Sequence, residues 1–168
     1  CISIDSDRIK NYASPINIET GGFWFGDQSS ADGNLIDGCI SIRDVQMAYY
    51  VAGSGKNIGS STIRNCVALD LSYKLPTART TCALFLAQDT NATISNVTGI
   101  GAKFEGQDGI YCKKRGRKII KDSIVANISD EGVGINPGSE PVNIRNIVYY
   151  NVGGGKYGKY SKRLDPFK

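Results

Sequence analysis

The sequence predicts an all-β fold, a parallel β-helix of about six coils, on three observations. A short phrase recurs along the chain, β-branched runs end at turn residues, and no stretch sustains a helical period. The phrase is "IRNCV" at 63–67, and it returns as "ISNVT" at 94–98 and "IRNIV" at 144–148.

Each unit is best anchored on its Asn or Asp. Asn65, Asn96 and Asn146 are joined in the same frame by Asn11, Asp44 and Asp122. Two residues before each anchor stands an isoleucine: Ile9, Ile42, Ile63, Ile94, Ile120 or Ile144. Successive anchors lie 33, 21, 31, 26 and 24 residues apart. Such a period belongs to solenoids, whose units bury their apolar faces only by stacking on neighbours. The isoleucines are expected to form an inward ladder, and the Asn and Asp side chains a buried column at the bend.

The strands follow from local composition. Segments 61–64 and 92–95 are short, β-branched and closed by Asn, a residue suited to tight turns. A second short strand follows in most units, as at 83–86, 109–112 and 132–135. Unequal spacing places swollen turns at 20–34, 72–81 and 99–108, the kind of place where solenoids carry function. The coils are expected over residues 1–152, with 153–168 a last partial coil or linker.

Composition fits this reading. The chain has 168 residues, 40% hydrophobic and 21% charged, which is globular and one domain in size. Twenty glycines, one methionine and five prolines argue against a helical bundle, and a net charge of +4 permits a polyanionic partner without demanding one. No apolar run reaches the ~20 residues of a membrane span. Cys1, Cys39, Cys66, Cys82 and Cys112 lack zinc-ligand spacing and read as reduced apolar fillers, so neither a metal nor a cofactor is expected. The chain opens directly on the alternating Ile2-Ser3-Ile4, as a segment of a longer polypeptide would.

The phrases "NATISNVTGIGAKFEGQDGIYC" and "NIRNIVYYNVGGG" resemble coils of right-handed parallel β-helix proteins of the pectate-lyase-like superfamily. Within it, the irregular turns and the glycine- and tyrosine-rich texture look like bacteriophage tailspikes and capsule depolymerases. The resemblance spans roughly residues 2–152. It implies a homotrimer on a virion tail appendage that binds, and in some members cleaves, bacterial surface polysaccharide. A non-catalytic structural β-helix and a secreted polysaccharide lyase or hydrolase are the alternatives.

Candidate chemistry falls in four places. Lys10, Arg43, Arg64, Lys121 and Arg145 precede five of the six anchors, Ser95 the remaining one, so alternation would make an outward basic stripe for acidic polysaccharide. "CKKRGRKIIK" at 112–121 reads as a solvated basic turn, and its lack of interleaved aromatics argues against a nucleic-acid partner. Glu105 and Glu131 each lie nine residues after an anchor and would stack as a carboxylate pair, with Asp108 and Asp130 close by, as a glycosidase requires. Trp24 and Asp27 in "GGFWFGDQSSADGN", with Tyr73 and Arg79 in the next excursion, combine an aromatic face with polar groups suited to sugar rings.

Overall fold

The computed structural model describes residues 1–4, 21–25, 33–43, 47–53, 58–69, 82–102, 106–136 and 141–157. These are all-β, with parallel sheets and no helix. The strands are β1 (Ile2–Ile4), β2 (Gly21–Phe25), β3 (Asn34–Asp37), β4 (Ile40–Ile42) and β5 (Met47–Ala52). Then come β6 (Ser60–Arg64), β7 (Val67–Leu69), β8 (Cys82–Gln88), β9 (Asn91–Ser95) and β10 (Thr98–Ile100). The last are β11 (Gln107–Lys113), β12 (Lys118–Ile128), β13 (Glu131–Ile135), β14 (Val142–Val152) and β15 (Gly155–Tyr157).

Three stacks of parallel strands result, an arrangement compatible with a parallel β-solenoid. The first stack joins β3, β6, β9 and the opening halves of β12 and β14. The second joins β1, β4, β7, β10 and the closing halves of β12 and β14. Both belong to one nine-stranded sheet, bent where they meet. The third stack is a separate six-stranded sheet, β2-β5-β8-β11-β13-β15, and β15 carries it to residue 157.

The bend is made by residues in the left-handed region. Gly38, Asn65, Asn96, Asp122 and Asn146 have φ between 52° and 63°. Asn and Asp tolerate this conformation because their short polar side chains bond locally. The expected isoleucine ladder is present as Ile36, Ile63, Ile94, Ile120 and Ile144, paired rung by rung and buried for the first four.

Two expectations about this corner need correction. Ile42 is not in the ladder: it pairs with Leu69 in the second stack, and Ile36 fills that rung instead. Nor is the Asn/Asp column buried; Asn65, Asn96, Asp122 and Asn146 are all exposed. A convex corner sends its side chains outward, and Asn146 Nδ2 donates to Asp122 Oδ1 at 2.8 Å along the outside. Ile9, Asn11, Lys10 and Asp44 lie outside the described residues.

The core fills the space between the stacks. Phe23, Tyr49 and Phe85 stack in near-parallel planes with centroids 5.1 Å apart, and the Tyr49 hydroxyl lies 2.8 Å from the carbonyls of Cys39 and Val67. Cys39, Cys66 and Cys112 are buried free thiols, in keeping with their reading as fillers. Burial pushes the Cys112 thiol up to about 12, so it carries no thiolate chemistry near neutrality.

Candidate functional site

Two of the four expected carboxylates, Asp108 and Glu131, share one position on adjacent strands of the third stack, and Asp130 lies one residue before Glu131, opposite Gln107. Asp108 pairs in register between Ala83 and its neighbour below, and the β11–β13 register (Ile110 with Val133) sets Asp108 beside Glu131. The Glu131 amide donates to Asp108 Oδ1 at 3.1 Å, and the Asp130 amide donates to the Gln107 carbonyl at 3.0 Å. The expected partner of Glu131 was Glu105, which lies outside the described residues. Asp108 occupies the paired position because the turn before β11 is three residues longer than the turn before β13. Counting from the anchors therefore misses the register. The shared acid–Gly–aliphatic phrase, Asp108-Gly109-Ile110 against Glu131-Gly132-Val133, would have found it.

The environments of these acids differ sharply. Asp108 is only 5% exposed, while Glu131 is half-buried and Asp130 exposed. Burial pushes the Asp108 carboxyl up to about 7, and the negative charges of Asp130 and Glu131 push the same way against the opposing amide bond from Glu131. Asp108 thus keeps its proton to far higher pH than an ordinary aspartate, while its neighbours face more solvent. Divergent environments for paired carboxyls are how one site provides both an acid and a base.

Tyr111 completes the setting. A Cβ added at Gly134 would sit 2.5 Å from the Tyr111 ring and 3.2 Å from the Asp108 carboxyl carbon, so both side chains lie over this glycine. Asn136 Nδ2 donates to the Tyr111 hydroxyl at 3.2 Å, which fixes the ring. Tyr111, Gly134 and Asn136 were not singled out from the sequence; only the register shows that they share the Asp108 surface. Among the described residues no group of three His, Cys, Asp or Glu side chains could hold a metal ion.

The expected basic stripe is interrupted. In register the column is Asp37, Arg64, Ser95, Lys121 and Arg145. Arg43 is not part of it; with φ of 53° it begins the turn after β4, at the far side of the second stack. Arg64 Nε donates to Asp37 Oδ2 at 2.8 Å, and that bond, followed by one from Asn65, holds the Asp37 carboxyl below its ordinary value. Ser95 is buried, leaving Lys121 and Arg145 adjacent at one end.

The basic turn is exposed at Lys114, Arg115 and Arg117, as expected, but not at Lys118. Lys118 is fully buried and folds back so that its ammonium donates to the carbonyls of Lys114, Arg115 and Gly116. Lys114 and Arg115 each reach Asp89 at 3.4 Å. Gly116 has φ of 93°, and a Cβ there would meet the Thr90 carbonyl at 2.4 Å, so only glycine fits. Lys118 thus serves the turn itself, and Lys114 and Arg115 tie it to the neighbouring coil while staying open to solvent.

Trp24 is half-buried and packs edge-on against Tyr50, with centroids 4.6 Å apart. Asp27, Tyr73 and Arg79 lie outside the described residues. No helix among the described residues is long and apolar enough to cross a membrane. Compared with known protein families, curated proteins and solved structures, the chain matches none.

Proposed function

We propose that the chain is about six coils of a right-handed parallel β-helix from a tailspike-type, homotrimeric receptor-binding protein that binds and cleaves bacterial surface polysaccharide. The observation that carries this reading is the rung of Asp108 and Glu131. One carboxyl is buried and holds its proton up to about pH 7, and the other lies in register on the next strand.

Adjacent parallel strands are about 4.8 Å apart. A carboxylate pair on such strands fits the ~5–5.5 Å separation of retaining glycosidases better than the wider inverting geometry. In this reading Asp108 gives its proton to the glycosidic oxygen as the C1–O bond breaks, and Glu131 forms an ester with C1. Water then attacks C1, displaces Glu131 and returns a proton to Asp108. The Tyr111 ring beside Asp108 supplies an apolar face for a sugar.

The test is incubation of the full chain with purified capsule or O-antigen polysaccharide. Release of reducing ends by the wild type, and its loss in Asp108→Asn and Glu131→Gln, is the expected outcome. Absence of release, or release unaffected by both substitutions, overturns the catalytic reading. Unsaturated non-reducing ends formed together with the reducing ends would indicate a lyase instead.

A further inference from the structure

Strand β11 carries polar chemistry at both ends of its outer face. Asp108 stands near its start and Tyr111 at its middle, and alternation from the buried Cys112 turns Lys113 outward at its end. Lys113 lies about 16 Å along the strand from Asp108, at ~3.3 Å per residue. In register its column runs Ala52, Gln88 and Lys113, and the pairing of Cys112 with Ile135 sets Asn136 next in line. The column holds no carboxylate.

Three groups in and beside this column are left without a full set of partners. Lys113 is half-buried, and among the described residues its ammonium has no partner, whereas Lys114 and Arg115 are tied to Asp89. Gln88 is 9% exposed, and its Oε1 is buried without a hydrogen bond. A buried acceptor in that state is costly, and native proteins leave few of them. Lys113 stands only one strand away, about 4.8 Å, yet does not donate to it. The Tyr111 hydroxyl accepts from Asn136 Nδ2 at 3.2 Å, which leaves its own proton to give.

From these groups we infer that Gln88, Lys113 and Asn136, beside the Tyr111 ring, form a second sugar-binding subsite that takes a sugar bearing a carboxylate. The inference rests on the cleavage reading of the acidic rung, and it makes the substrate of that rung an acidic polysaccharide. The ligand carboxylate accepts from the Lys113 ammonium and the Tyr111 hydroxyl. A neighbouring hydroxyl of the same sugar gives Gln88 Oε1 the donor it lacks, once the amide turns toward the surface. The placement of charge fits this division. Asp108, Asp130 and Glu131 crowd the other end of the strands and would repel a carboxylate there. Lys113 holds the ligand's charge about 16 Å from the bond on which those acids act.

The test uses the full chain and acidic capsular polysaccharide, in native form and with its carboxylates reduced to hydroxymethyl groups. Lys113→Met should raise KM for the native polymer about tenfold with little change in kcat, because the lost contact is made equally before and during cleavage. Reducing the polymer should raise KM by the same factor for the wild type and no further for the variant, since both changes remove one interaction. Lys113→Arg should restore binding. Gln88→Leu should weaken binding without lowering the thermal midpoint, and a loss of stability would show that this amide serves the fold and remove it from the subsite. Cleavage of both forms with equal KM, cleavage confined to neutral polymers, or a KM unmoved by Lys113→Met overturns the subsite and leaves the acidic rung standing. Failure of the wild type to cleave any polymer overturns the reading of the rung instead. Binding then decides the subsite: in affinity electrophoresis Asp108→Asn should be retarded more by the native polymer than by the reduced one, and equal retardation overturns the inference.

Discussion

The corner at Asn65, Asn96, Asp122 and Asn146 and the rung at Asp108 and Glu131 are built from similar residues to opposite ends. At the corner one solution recurs: an inward isoleucine followed two residues later by a left-handed Asn or Asp. At the rung the column reads Gly21, Met47, Ala83, Asp108, Glu131 and Gly155, with acids in only two adjacent places. Repetition marks what every unit needs in order to stack. The break in repetition marks where a costly group, a buried carboxyl, has been placed with no structural need shared by its neighbours.

The comparison breaks most visibly at the ladder. Ile94 is fully buried between Ile63 and Ile120, and Ile94→Ala should cost about 2–5 kcal/mol in chemical denaturation. A loss below about 1 kcal/mol would mean that the ladder is not the core of the fold.

A smaller and pH-dependent effect is expected at the rung. Folding raises the Asp108 carboxyl from 3.8 to about 7, so the folded state holds more protons than the unfolded chain between those values. The Asp108 contribution to stability is therefore full below about pH 4 and is lost as pH rises from there through about 7, by on the order of 4 kcal/mol at most. Asp108→Asn should flatten that decline, because its side-chain oxygen still accepts the Glu131 amide and carries no charge. Equal pH slopes for the two proteins in denaturant titrations would remove the electrostatic cost assigned to the rung.

The smallest effect belongs to the corner itself. Asn96→Ala should cost about 1 kcal/mol through the left-handed backbone, while Asn96→Gly should be nearly neutral. Thermal melts of the two variants separate backbone strain from loss of the amide, since both lack the side chain. If both are equally destabilised, the amide matters more than the φ angle.

Much of the fold was legible because ladder and corner repeat in sequence. The slip at Ile42-Arg43-Asp44 has a physical source. The chain turns again beyond the second stack, where Arg43, Asn127 and Asn151 are also left-handed, so the Ile-x-Asp phrase does not specify which corner it serves. The acidic rung was legible by residue type but not by pairing. Its register depends on the length of the turn between β10 and β11, which no local pattern encodes.

The most direct measurement is titration of the Asp108 side-chain carboxyl by carbon-13 NMR, with Asp108→Asn to assign the resonance. The expected midpoint is near 7, well above the ordinary aspartate value. A midpoint near 4 would show an ordinary solvated aspartate and contradict the role assigned to the rung.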